Sequence, residues 1–264
     1  MNIASGLTNP VPLAHEDRRT LNGPLHAARN ATMLALIGNP RPTYGTDCAP
    51  VVDPLIKGLI VTEDVGPFRA TGLAPAVAVL RTILADIQRD HPAIHAALGS
   101  AGMLCCRLVR GSATAISNHA WGTAIDLTLG GVLDSRGDGR AQAGLMAIHP
   151  IFNRHGFFWG AAFRIEDAMH FEASEELIDR WSQDGLFGAR PALRKPGLTI
   201  GDRGPQVESL QAALNRHLPP DDLLLVDGVF GKDTRAAVAG FQRSKGLPPD
   251  GTATFRTLRA LGLG

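Results

Sequence analysis

The sequence predicts an α+β domain, built from a small antiparallel sheet and helices, followed by a small all-α domain of three helices. Three observations predict this fold class. Residues 123–127 and 168–172 alternate between two faces as half-buried strands do, whereas residues 73–87 repeat with a helical period. From residue 198 onward, apolar residues are spaced as in short amphipathic helices.

Composition divides the chain of 264 residues into four parts. Residues 184–197 are rich in glycine and proline and lack periodicity, which predicts a linker. We therefore expect an N-terminal arm at 1–30, the α+β domain at 31–183 and the helical domain at 198–264. The length agrees, since about 100–200 residues per domain is usual.

The predicted helix at 73–87 is the most periodic segment of the larger domain. Its apolar residues from Ala76 to Ile87 fall on one face, and Pro75 suits the first turn. We expect this face in the core, because an α+β domain needs a helix packed against its sheet. The apolar stretch from Ile56 to Val61 predicts a strand before it.

Two short blocks place histidines and carboxylates where a metal site would need them: SNHAWGTAID at 117–126 and DAMHFE at 167–172. Zinc in hydrolases usually takes three ligands from His and Asp/Glu and leaves a fourth position for water. His119, Asp126 and His170 supply such a set, provided the chain turns at Gly122. Asp167, at the entrance of the second strand, is placed to carry a proton rather than to bind the metal.

The two blocks, together with PIFNRHGFFWG at 150–160, resemble the M15 family of zinc peptidases. This family comprises D-alanyl-D-alanine carboxypeptidases and phage endolysins that cut peptidoglycan peptides. The resemblance implies that His119, Asp126 and His170 bind Zn²⁺ and that Asp167 is the catalytic acid and base. Several family members carry Glu at the position of Asp167. Asp provides the same carboxyl group on a side chain that is shorter by one methylene.

The resemblance also implies an arginine upstream of the first ligand, which holds the oxyanion or the substrate carbonyl. Arg107 and Arg110 both fit this role in the segment CCRLVRGS, and Arg107 is preferred.

The C-terminal segment is similar to the small three-helix peptidoglycan-binding domain of many wall hydrolases, on the residues LTIGDRGPQV, VDGVFGKDT, FQ and PDG. Pro205 suits the first turn of a first helix, Asp233 or Thr234 can cap a second, and Gly246 can end it. An Asp-Gly pair precedes a helix twice, at 227–228 and 250–251, which suggests one unit used twice. These glycines either shape a binding groove or only permit the turns, and we favour the turns.

Charge and hydropathy exclude other classes of function. The net charge of +1 gives no nucleic-acid footprint, and no apolar run approaches the roughly 18 residues of a membrane span. Charges at 16–19 stand where a signal peptide would be apolar, so none is expected in this chain. Cys48 and the adjacent Cys105 and Cys106 are too few for a disulfide scaffold. We expect free buried thiols, with one bridge from Cys48 to the pair as the alternative.

The combined interpretation is a monomeric, zinc-dependent peptidoglycan peptidase that acts on the cell wall or in the periplasm. A phage endolysin released through a holin pore, or a leader removed from this chain, would explain how it reaches the wall. The bond cut is left open among D-Ala-D-Ala, a D,D cross-bridge and L-Ala-D-Glu. The alternatives are a non-catalytic wall-binding protein with a structural zinc site, and a glycan hydrolase, which needs a carboxylate pair without metal.

Overall fold

The computed structural model describes residues 6–14, 18, 20–188 and 197–263. They form two compact units, one containing residues up to 188 and the other residues from 197 onward. Most of the expected linker, residues 189–196, lies outside the described residues, as do residues 1–5, 15–17 and 19 of the expected arm. The expectation of a mixed domain with small antiparallel sheets, followed by a helical region, is confirmed.

The larger unit alternates short strands and helices. Its helices are α1 (Asn30–Leu36), α2 (Pro54–Gly58), α3 (Ala74–Asp90), α4 (Pro92–Ala97), α5 (Ala143–Arg154) and α6 (Glu175–Gln183). Its strands are β1 (Pro10–Pro12), β2 (Ile60–Asp64), β3 (Arg69–Leu73), β4 (Leu98–Gly102), β5 (Ala124–Leu129), β6 (Val132–Leu133), β7 (Arg140–Gln142), β8 (Phe157–Trp159) and β9 (His170–Ala173). None of the described helices has the length and apolar character needed to cross a bilayer.

The central sheet has five antiparallel strands in the order β4-β5-β9-β8, with β6 pairing on β5. Strand β5 lies between β4 and β9, and Ile125, Leu127 and Phe171 from this sheet are fully buried. The hairpin β2–β3 forms one separate two-stranded sheet, and strands β1 and β7, which are distant in the chain, form another. The register of β5 on β9 decides where the polar face of the sheet lies.

The longest helix, α3, supplies much of the core. The residues predicted to be buried, from Ala76 to Ile87 on one face, are fully buried, and Pro75 lies in the first turn. The strand predicted at Ile56–Val61 is wrong in its first half. Ile56 belongs to α2 because the Asp53 side chain accepts a hydrogen bond from its backbone N–H and caps the helix; the strand begins at Ile60.

Two of the three cysteines form a disulfide, so the expectation of free thiols is wrong for Cys48 and Cys105. Their Cα atoms are 5.1 Å apart because the chain around Ala49 runs antiparallel to Cys106, with backbone hydrogen bonds in both directions. Cys106 remains a free, buried thiol. The 57-residue separation of the partners hides this proximity in the sequence.

The smaller unit is helical, with α7 (Pro205–Asn215), α8 (Lys232–Ser244) and α9 (Phe255–Ala260) around its own core. A two-stranded sheet of β10 (Gly197–Leu198) and β11 (Ala253–Thr254), which the sequence analysis does not include, ties its ends together. The predicted cap of the second helix is also wrong. Gly231 occupies the cap position, and Thr234 lies inside the helix with its hydroxyl facing Gln211.

A buried glutamine holds each of the two Asp-Gly turns. Gln211 accepts hydrogen bonds from the N–H groups of Asp227 and Gly228, and its amide donates to the Asp227 carboxylate at 2.8 Å. Gln242 has the same role at the second Asp-Gly turn. Its side-chain oxygen accepts a hydrogen bond from the N–H of Gly251, and its amide donates to the Asp250 carboxylate.

Both glycines of these turns have positive φ, +68° at Gly228 and +75° at Gly251, which explains why the turns need them. Each glutamine also contacts a threonine in the third position of the following helix, Thr234 or Thr257. The unit inferred from the repeated Asp-Gly pair therefore extends to a glutamine on the preceding helix.

We predict that Gln211→Ala and Gln242→Ala each destabilise the smaller unit by about 1–3 kcal/mol, because each leaves a buried N–H group, of Gly228 or Gly251, without its acceptor. Chemical denaturation followed by circular dichroism measures the loss. Gln206→Ala, an exposed change on the same helix as Gln211, should stay within about 0.5 kcal/mol of wild type. Equal stabilities for all three variants would contradict the role of the glutamines.

Candidate metal centre

Three side chains predicted as ligands converge on one point. The closest separations are 3.2 Å between His119 Nε2 and Asp126 Oδ1, 3.2 Å between His119 Nε2 and His170 Nδ1, and 3.1 Å between His170 Nδ1 and Asp126 Oδ1. Both histidines are buried and Asp126 is partly exposed. The three ligand atoms thus form a small triangle with one accessible side.

Sheet register brings Asp126 and His170 together. They are directly paired across β5 and β9, and alternation sends their side chains to the face opposite Ile125 and Phe171. The alternation read from the two sequence blocks therefore matches the strands observed here.

His119 reaches the same point from a short 3₁₀ helix, Asn118–Trp121, which ends at Gly122. Gly122 has φ +66°, and a Cβ there would come within 2.7 Å of the Gly72 Cα atom. The turn therefore needs glycine both for its conformation and for its contact with β3. His119 Nδ1 lies 3.1 Å from the carbonyl oxygen of Met103, which leaves Nε2 facing the other two ligands.

The charges around the triangle favour a cation. Burial by itself would raise the pKa of Asp126, but hydrogen bonds from His119 and His170 outweigh it and hold that pKa well below its usual range. Burial lowers the pKa of His170, whereas hydrogen bonds to Asp126 and Glu172 outweigh burial and raise it. A proton on His170 occupies the position that a metal ion would take.

The donor set fits Zn²⁺. Tetrahedral bonds of about 2.0–2.1 Å hold their donor atoms about 3.3 Å apart, close to the separations observed. Two imidazole nitrogens and one carboxylate oxygen are ligands that zinc accepts, and such three-ligand sites are typical of catalytic zinc. Within the described residues, no fourth His, Cys, Asp or Glu joins this group.

Asp167 lines the same groove as the three ligands, at the entrance of β9, where its carbonyl accepts a hydrogen bond from the His170 N–H. Its Oδ1 atom is buried and receives no hydrogen bond from the described residues. Burial raises the pKa of Asp167; the Asp126 carboxylate adds to the rise, and positive charge at His170 and Arg136 opposes it. A carboxylate with a raised pKa and a free oxygen is suited to accept a proton.

Sequence reasoning missed Arg136, whose Nε lies 3.1 Å from Asp167 Oδ2. The buried Glu166 carboxylate positions this arginine by accepting hydrogen bonds from the N–H groups of Gly137 and Gly139. The glycines of the segment SRGDG signal a turn in the sequence, but only the fold brings that turn to Asp167.

Arg107 and Arg110 both line the groove, which has a volume of about 1200 Å³. Arg107 is partly buried and donates to the carbonyl of Leu108, whereas Arg110 is exposed. Three further arginines border the same groove, namely Arg29, Arg136 and Arg164. These five arginines form a positive rim of the groove, which also contains the carboxylates of Asp126 and Asp167.

We predict that zinc affinity rises with pH through neutrality, because the metal must displace a proton from a His170 whose pKa lies above its ordinary value. Each proton released makes the affinity rise about tenfold per pH unit between about pH 6 and pH 8. Competition with a chromogenic chelator measures the affinity, and calorimetry in two buffers of different ionisation enthalpy counts the protons. A pH-independent affinity would contradict the prediction.

Comparison with known proteins gives two family matches. Residues 110–173 match the family model of an M15 peptidase described as D-alanyl-D-alanine carboxypeptidase, and this range contains all three candidate ligands and Asp167. Residues 203–261 match the model of a peptidoglycan-binding domain. Neither the search of curated proteins nor that of solved structures finds a match. The two family matches confirm the resemblance read from the motifs: one segment of the chain is similar to M15 peptidases and a C-terminal segment is similar to peptidoglycan-binding domains, and together they support a cell-wall peptidase.

Proposed function

We propose that the protein is a zinc-dependent peptidase that hydrolyses a peptide bond in the stem peptide or cross-bridge of peptidoglycan. The observation that carries the proposal is the triangle of His119, Asp126 and His170 in an open groove that also contains Asp167. More than half of the residues that line this groove, including the triangle and Asp167, lie within the segment that matches M15 peptidases.

His119 Nε2, Asp126 Oδ1 and His170 Nδ1 would hold the ion. When bound, zinc supplies a Lewis acid that polarises the scissile carbonyl and lowers the pKa of water. Asp167 takes the proton from the attacking water and returns it to the leaving amine, for which its unpartnered Oδ1 is available. Arg136 holds the other oxygen of Asp167 and so fixes the direction of the carboxylate.

Arg107 or Arg110 stabilises the negative charge that develops on the substrate carbonyl. Both line the groove, whereas Asp167 is paired with a different arginine, Arg136. The positive rim suits a substrate with a free carboxylate, which every carboxypeptidase substrate has. The groove also exceeds the roughly 300–1,000 Å³ of ordinary small-molecule pockets, in keeping with a polymeric substrate.

A structural zinc site is the less favoured alternative. Structural sites usually close their coordination with four protein ligands, whereas the described residues supply three beside an open groove. A raised pKa and a partner-free oxygen at Asp167 would serve no purpose in a purely structural site. These features favour catalysis over wall binding alone.

The smaller unit would keep a monomeric enzyme at the insoluble wall and raise the effective concentration of substrate. Its two Asp-Gly turns are held by internal hydrogen bonds, which supports their structural role. We place its action at the cell wall or in the periplasm, as a phage endolysin or as an exported bacterial enzyme.

We predict that the purified protein cleaves muropeptides and that a chelator abolishes the activity. Asp167→Asn should keep its zinc and lose turnover by about 10²-fold or more, because the proton carrier is gone. Mass spectrometry of the products identifies the bond. Asp138→Asn, an exposed change near Arg136, should retain wild-type turnover. Cleavage that survives removal of zinc would contradict the proposed function, and wild-type turnover in Asp167→Asn would remove Asp167 from the mechanism.

We also predict that removal of residues 198–264 leaves hydrolysis of a soluble stem peptide nearly unchanged, since the ligands and Asp167 lie in the larger unit and each unit has its own core. The same deletion should weaken pelleting with insoluble walls and slow their lysis. Zinc content and thermal melting verify that the shortened chain is folded. Unchanged wall binding would show that the smaller unit is not the tether.

A further inference from the structure

One buried carboxylate beside the ligand triangle has no part in the mechanism above. Glu172 lies on β9, two residues beyond His170 and on the same face of the strand. It is 3% exposed, and its Oε2 atom lies 2.9 Å from His170 Nε2. Its other oxygen accepts a hydrogen bond from the N–H of Ala28. A charged group buried this deeply must be compensated by its partners.

The contact with Glu172 decides which nitrogen of His170 is available. A neutral imidazole carries its proton on one nitrogen and a lone pair on the other. A carboxylate at Nε2 keeps the proton there, so the lone pair lies on Nδ1, the atom that faces His119 and Asp126. His119 is arranged the other way, with its Nδ1 at the Met103 carbonyl and its Nε2 in the triangle.

The backbone of Ala28 joins the two ligand-bearing segments. Its N–H donates to Glu172, and its carbonyl accepts a hydrogen bond of 2.9 Å from the side chain of Asn118, the residue before His119. Residues on either side of Ala28 are held by two further carboxylates, Glu175 and Glu176, which follow Glu172 in the chain. His26 bonds to Glu176 through its backbone and its ring, and Thr32 donates to Glu175.

We propose that Glu172 is a positioning residue, which fixes the tautomer and the ring orientation of His170, and that the segment 26–32 holds Glu172 in place through Ala28. On this view the N-terminal segment is a structural part of the metal site. The proposal rests on the proposed function, because it assumes that the triangle binds zinc. Partners of this kind change metal affinity because they orient the ligand and strengthen its basicity.

Metal binding in variants tests the proposal without reference to activity. Glu172→Gln replaces the carboxylate by a neutral group of similar shape and should weaken zinc binding about 10–100-fold. Asp86→Asn is the matched control, since it neutralises the carboxylate of another carboxylate–histidine contact, with His155, outside the groove; its zinc affinity should stay within about twofold of wild type. Chelator competition gives both affinities, and thermal melting of the metal-free proteins separates affinity from folding.

The wild-type protein provides a second measurement, which holds even if Glu172→Gln fails to fold. Nitrogen-15 NMR of labelled histidines in the cadmium-113 form should show metal coupling to Nδ1 of His170 and to Nε2 of His119, with a proton on His170 Nε2. Coordination of His170 through Nε2, or equal affinities of wild type and Glu172→Gln, would overturn the proposal. Absence of zinc binding in the wild type would instead overturn the proposed function.

Discussion

The pairing of β5 with β9 is the constraint on which the larger unit depends. It sets Asp126 opposite His170 and at the same time buries Ile125 and Phe171 on the other face. A slip by one residue would move these two candidate ligands into the core and the apolar residues into the groove, so burial of the apolar face holds the geometry of the polar face in place. The geometry of the candidate metal centre is therefore specified by the same burial that stabilises the sheet.

Four carboxylates lie in or beside the groove, and their different surroundings give them different properties. Asp126 stays ionised between two histidines, whereas burial raises the pKa of Asp167. Glu166 is saturated by the N–H groups of a glycine-rich turn, and Glu172 by His170 and Ala28. Side chains with the same carboxylate group thus acquire different properties, because each faces different partners.

The sequence predicts those features of the fold and the candidate site that depend on residues close together in the chain. It predicts the strand alternation around Asp126 and His170, the turn at Gly122 and the apolar face of α3. Each of these depends on neighbours within one turn or one strand. The Arg136–Asp167 pair, the Cys48–Cys105 bridge and the contact of Ala28 with Glu172 were not, because the fold alone brings these distant segments together. The strand predicted at Ile56 is wrong because the apolar residues around it suggest a strand, whereas Asp53 and Pro54 begin a helix there.

The paired glutamines of the smaller unit have a consequence for how that unit folds. Gln211 reaches Asp227, 16 residues later, and Gln242 reaches Asp250, 8 residues later, so each turn is secured by contacts that are local in sequence. Closing loops of this length costs little chain entropy, because the cost grows only with the logarithm of the loop length. Such a unit can form as soon as its own residues are available, whatever precedes them. A segment whose turns are supported from within its own helices is portable and can be joined to domains of different fold without redesign of either partner.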